Sequence, residues 1–77
     1  MIKVLLFAEL QDAAGTDQLE VDMVGATINE VKSWLHTQYN LPSLDQTMVA
    51  VNESYAEETY VVREGDVIAF IPPVSGG

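Results

Sequence analysis

The sequence contains no cysteine. Disulfides, thiolate metal sites and cysteine nucleophiles are therefore excluded. Only one histidine, His36, and three bases, Lys3, Lys32 and Arg63, are present. A chain this poor in cations has no basic stripe for tracking phosphates, and it is repelled by nucleic acid and anionic membrane alike. No Gly-rich phosphate loop occurs, and no serine has a histidine placed by sequence to activate it. The apolar run near the start, Val4 to Ala8, spans five residues before an acid. That is too short for a secretory h-region or a membrane span. A soluble cytoplasmic protein is the expectation.

What is present is acid and hydrocarbon. Twelve acids against three bases give a formal charge of −9, and 48% of the 77 residues are hydrophobic. The length implies one domain. Such a chain buries only about 60% of the surface its unfolded form exposes. Without disulfide or zinc staples, stability must come from the core, the secondary structure or a partner. The acidic surface suits a partner with a basic docking face, and the same charge also serves solubility.

Hydrophobic periodicity outlines the elements. Residues 2–9 alternate as a strand, with Ile2, Val4, Leu6 and Ala8 on one face. Leu5 and Phe7 enrich the other face. That strand is either buried on both sides or presents its second side to another protein. Leu10 to Ala14 can form a helical turn, with Gly15 at the left-handed cap position. Gln18 to Met23 alternates as a second strand. Thr27-Ile28-Asn29-Glu30 matches the capping box and opens a helix of about three turns. Its apolar stripe is Ile28, Val31, Leu35 and Tyr39, with Trp34 beside it. Asn40 is placed to cap the helix, and Pro42 prevents its continuation. Met48 to Val51 reads as a third strand, Asn52-Glu53 as a turn and Ser54-Tyr55 as a return strand. Arg63 to Asp66 is a turn built on Gly65. Val67 to Ile71 reads as a buried central strand. One helix and one mixed sheet make a two-layer α+β domain.

Little conventional catalytic chemistry is available to this domain. His36 falls on the helix away from the centre of the stripe and reads as solvent-facing. Glu57-Glu58 is the densest acidic pair, but it lacks calcium-loop spacing and reads as a solvated loop, so no metal site is expected. Trp34, Tyr39 and Tyr60 sit within apolar patterns and read as core or boundary residues. The remaining feature is the end of the sequence, Ile71-Pro72-Pro73-Val74-Ser75-Gly76-Gly77. Proline fixes φ, and a residue preceding proline is driven extended. The segment from Pro72 to Gly77 can thus project about 20 Å at ~3.3 Å per residue. Gly76 and Gly77 have no side chain, so they fit a channel closed to other residues. The group they deliver is the Gly77 α-carboxylate. Adenylation with ATP would make it an acyl donor. Attack by a sulfur donor would then give a thiocarboxylate, and attack by a lysine amine an isopeptide.

These residues carry a resemblance. Ile2 to Ala8, Ala14-Gly15-Thr16, Ala50-Val51-Asn52, Glu64 to Phe70 and the Pro72-to-Gly77 tail are together similar to the small, sulfur-carrying subunits of molybdopterin synthase. The resemblance runs over the whole chain and implies a ubiquitin-like β-grasp fold, here a domain over 1–71 and a tail over 72–77. It further implies that the chain binds no cofactor itself. An E1-like enzyme would use ATP and magnesium to adenylate Gly77, and a sulfur donor protein would then supply the sulfur. The tail, Pro72, Pro73, Val74, Ser75 and Gly76, would thread into the synthase large subunit within a heterotetramer. There the Gly77 thiocarboxylate would give its sulfur to cyclic pyranopterin monophosphate, the catalytic residues belonging to the partner. Phe7, Tyr55 and Ile71 are expected on or near the open sheet face as a docking patch, with Ile68 and Phe70 toward the helix. A sulfur carrier for thiamine or tRNA thiolation, a ubiquitin-like modifier and a passive β-grasp binding module are the rival readings.

Overall fold

A computed structural model describes residues 1–39, 41, 44 and 46–73. The sites expected at Asn40, Pro42, Val74, Ser75, Gly76 and Gly77 lie outside the described residues. The elements are β1 (Ile2–Leu6), α1 (Glu9–Ala14), β2 (Gln18–Val21), α2 (Ile28–Tyr39), β3 (Met48–Val51), β4 (Ser54–Tyr55) and β5 (Val67–Ile71). The strands form one mixed sheet in the order β2-β1-β5-β3-β4. Its two central strands, β1 and β5, run parallel, with Val4 opposite Ile68 and Leu6 opposite Phe70.

β1 is shorter than the alternation of residues 2–9 predicts. The chain leaves the strand after Leu6, and Ala8 takes φ 51° and ψ −125°. The Leu10 amide donates to the Phe7 carbonyl at 3.1 Å, and the Asp12 amide to the Ala8 carbonyl at 3.2 Å. The turn and α1 win because they bury Leu10, which a straight strand would carry past the core. Gly15 ends α1 with φ 79°, as its cap position requires. β2 also stops early, at Val21 rather than Met23. Val21 pairs with Ile2, the first residue of β1, so Asp22 and Met23 have no strand to bond.

α2 begins as its sequence dictates. The Thr27 amide donates to Glu30 Oε1 at 2.9 Å, and the Glu30 amide to Thr27 Oγ1 at 3.2 Å. Two backbone donors that lack intrahelical partners are satisfied reciprocally. Ile28, Val31 and Leu35 meet the even-numbered residues of β1 and β5 in one core that includes Ile2, Val4, Leu6, Ile68 and Phe70. Trp34 and Tyr39 pack at its edge with their rings 6.0 Å apart, edge to face. Lys32, unmarked by the pattern, is buried, and its Nζ donates to Glu58 Oε1 at 3.0 Å. The acidic loop thus anchors the helix as well as facing water. His36 is exposed, and its Nδ1 lies 2.7 Å from the Leu41 carbonyl. No helix among the described residues is long and apolar enough to cross a membrane.

Candidate functional site

The alternation that fills the core also sorts the other sheet face. Odd-numbered residues of β1 and β5 point away from α2, and no element among the described residues covers them. β5 is therefore central without being buried on both sides. Ile68 and Phe70 are inaccessible, whereas Val67, Ala69 and Ile71 are half-buried. Of the two options for the second face of β1, the uncovered one holds.

The register lays this face out in rows, because residues directly opposite share a face. One row joins Leu5, Ala69, Ala50 and Tyr55 across four strands. The two alanines keep its centre low, and a concavity of about 680 Å³ opens above them. Phe7 and Ile71 line the same concavity. Met48, the partner of Ile71 in β3, adds another exposed apolar side chain. Phe7 is 44% and Tyr55 74% exposed, large values for aromatic rings. The three residues expected on or near the open face therefore all lie there. Leu5, Met48, Ala50 and Ala69 complete it. Each lies on a strand that the sequence marks, but only the register gives them a common surface.

This apolar face reaches the end of β5 from which the tail departs. Ile71 belongs to the face, and Pro72 and Pro73 follow directly, Pro72 half-buried and Pro73 exposed. The carboxylate and the tail residues 74–77 lie outside the described residues.

At the opposite end of β5, a polar network fixes the turns. Asp66 is buried and accepts from the Tyr60 hydroxyl at 2.8 Å, the Asn52 amide at 3.0 Å and the Arg63 backbone at 2.8 Å. Burial alone would raise its pKa. The Arg63 amide, the Tyr60 and Asn52 side chains and the Arg63 charge outweigh that and hold it below the ordinary carboxylate value. The Tyr60 hydroxyl is pushed up, first by its hydrogen bond to Asp66 and then by burial and the Asp66 charge. Asn52 Oδ1 also accepts from the Val67 amide at 3.0 Å. The sequence offered Gly65 as a turn marker but nothing that singled out this network. Its members are separated in the chain and converge only through the sheet. Asp66 is thus structural, and no three potential metal-ligating side chains cluster among the described residues.

A mixed sheet with two parallel central strands and one long helix, α2, across one face defines a ubiquitin-like β-grasp domain. More narrowly, the chain belongs to the ThiS family, whose model matches residues 4–77. It is 33% identical to the molybdopterin synthase sulfur carrier subunit of Escherichia coli (strain K12), covering 100% of both chains. It is 37% identical to the protein of that name in Drosophila ananassae, covering 99% of this chain and 90% of that one. Among solved structures it resembles SAMP1 from Haloferax volcanii with a TM-score of 0.81 and 28% identity, over 99% and 98% of the two chains. A complex of subunits 1 and 2 of the molybdopterin-converting factor from Helicobacter pylori contains the same fold. That match has a TM-score of 0.72 and 22% identity, over 99% and 97% of the two chains.

Proposed function

We propose that this chain is the sulfur carrier of a molybdopterin synthase and that Gly77 is its working group. The observation that carries the reading is the apolar face of Phe7, Ile71 and Tyr55 running to the end of the strand that feeds the tail. A partner seated on that face receives the tail at a fixed starting point. The full-length likeness to carriers from a bacterium and an insect supports the same reading.

A Gly77 carboxylate oxygen attacks the α-phosphate of ATP on an E1-like enzyme, with magnesium bound to the nucleotide, and pyrophosphate leaves. A persulfide on a donor protein attacks the acyl carbon and expels AMP, and a second thiol of the donor then cleaves the acyl disulfide, leaving the Gly77 thiocarboxylate and a disulfide on the donor. Adenylation is needed because a carboxylate is otherwise a poor electrophile. The charged tail, Pro72 to Gly77, then enters the large subunit of the synthase. Its sulfur attacks a side-chain carbon of cyclic pyranopterin monophosphate and displaces the oxygen there, and water then cleaves the Gly77 acyl–sulfur bond, restoring the carboxylate and leaving the sulfur on the pterin. Each dithiolene needs two sulfurs and so consumes two charged carriers. The cytoplasm supplies the ATP and reduced sulfur that this cycle requires.

Deletion of Gly77 should abolish sulfur transfer while leaving the denaturation curve unchanged. Full synthase activity in the deleted chain sinks the carrier reading. The likeness to SAMP1, a small archaeal modifier, favours a second reading in which an amine takes the activated tail. Intact mass after incubation with activating enzyme, ATP and sulfur donor separates the two. A carrier gains the difference of one oxygen replaced by sulfur, and a modifier appears joined to other proteins.

A further inference from the structure

The turn between β3 and β4 combines a backbone oddity with an isolated charge. Val51 pairs with Ser54, so Asn52 and Glu53 form a two-residue hairpin loop. Both have positive φ, 50° and 72°. Such loops favour Asn followed by Gly, since the second residue sits where a Cβ is strained. Asn52 fits the preference. Glu53 does not, and glycine there would be the relaxed choice.

The same side chain stands at the edge of the open face. Glu53 helps to line the apolar concavity beside Tyr55 and Ala69, and among the described residues it is the only charged one that does so. No ion pair or hydrogen bond among the described residues takes its carboxylate. The turn beneath it is fixed. Asn52 donates its backbone N–H to the Val67 carbonyl at 2.8 Å and its side-chain amide to Asp66 at 3.0 Å. The charge is therefore carried on a rigid support, at a conformational cost that a glycine would remove.

We infer that Glu53 is a recognition residue, pairing with a lysine or arginine that the docking partner places over the edge of this face. The inference rests on the reading of the open face as the seat of the synthase large subunit. The apolar row supplies contact area without direction. One charge at the edge sets the partner's orientation and speeds encounter. An edge pair of this kind contributes little to affinity and is screened by salt.

The test is a titration of the full chain against the purified large subunit at low and high salt. Glu53→Gln and Glu53→Gly should each weaken binding about two- to five-fold at low salt. The difference from wild type should close at high salt. Glu53→Gly should also raise the denaturation midpoint, which separates recognition from folding. Glu53→Lys should weaken binding further, and its deficit against wild type should shrink as salt is added. Phe7→Ala serves as the control for the face. If Phe7→Ala weakens binding and Glu53→Gln does not, this inference fails and the docking reading stands. If the wild-type chain does not bind, or Phe7→Ala has no effect, the docking reading fails and takes the inference with it.

Discussion

The two faces of the sheet are built by the same strands and have opposite fates. Toward α2, Ile2, Val4, Leu6, Ile68 and Phe70 are closed to solvent. Away from it, Leu5, Phe7, Val67, Ala69 and Ile71 remain partly open although they are just as apolar. Hydrophobicity alone therefore does not distinguish the core from the open face. The distinction comes from the single long helix, which can cover only one side. An open apolar face costs a small domain solubility, and a charge of −9 offsets that cost.

The comparison breaks most visibly at Phe70. Phe70→Ala should lose about 3–5 kcal/mol. A domain of this size holds only about 4–12 kcal/mol at ~0.05–0.15 kcal/mol per residue. Urea denaturation should show a large fall in midpoint or no folded baseline. The Asp66 network, which joins the turns behind both faces, ranks next. Asp66→Ala strips partners from Tyr60 and Asn52 and should cost about 1–3 kcal/mol. Its pH dependence has a definite sign. The folded pKa lies below the unfolded one, so the stabilisation is complete above the ordinary carboxylate range. It is lost as pH falls through the lower folded value. Acid denaturation curves of wild type and Asp66→Ala should therefore converge at low pH. Phe7→Ala should have the smallest effect on stability, about 1 kcal/mol or less, because the ring is already half exposed. Its effect on large-subunit binding should be about tenfold or greater. Equal stability losses at Phe7 and Phe70 would erase the division between the faces.

The fold was largely legible because local signals agreed. The capping box at Thr27, the 3-4-4 spacing of its apolar stripe and the breaks at Gly15, Asn52 and Gly65 each fix an element or its end. Period two in β1 set Phe7 apart from Val4 and Leu6, but β5 is apolar throughout, and the placing of Ile68 and Phe70 toward the helix came from the resemblance rather than from alternation. The strand ends at Leu6 and Val21 were not legible, because they depend on pairing rather than on alternation. Neither were the Lys32–Glu58 contact and the Asp66 network, whose partners meet across long stretches of chain. In the candidate site, the aromatic positions stood out by size. Ala50 and Ala69 did not, since a small residue marks a hollow only when its neighbours are known.

The parallel pairing of β1 with β5 also governs when the molecule comes into being. The first strand made must wait for the last before the centre of the sheet can close, and loops of that span form slowly. A growing chain that has not yet delivered Val67 to Ile71 holds neither a finished core nor an assembled open apolar face. Core and open face are thus completed by the same late event, and a chain interrupted before Val67 should present neither.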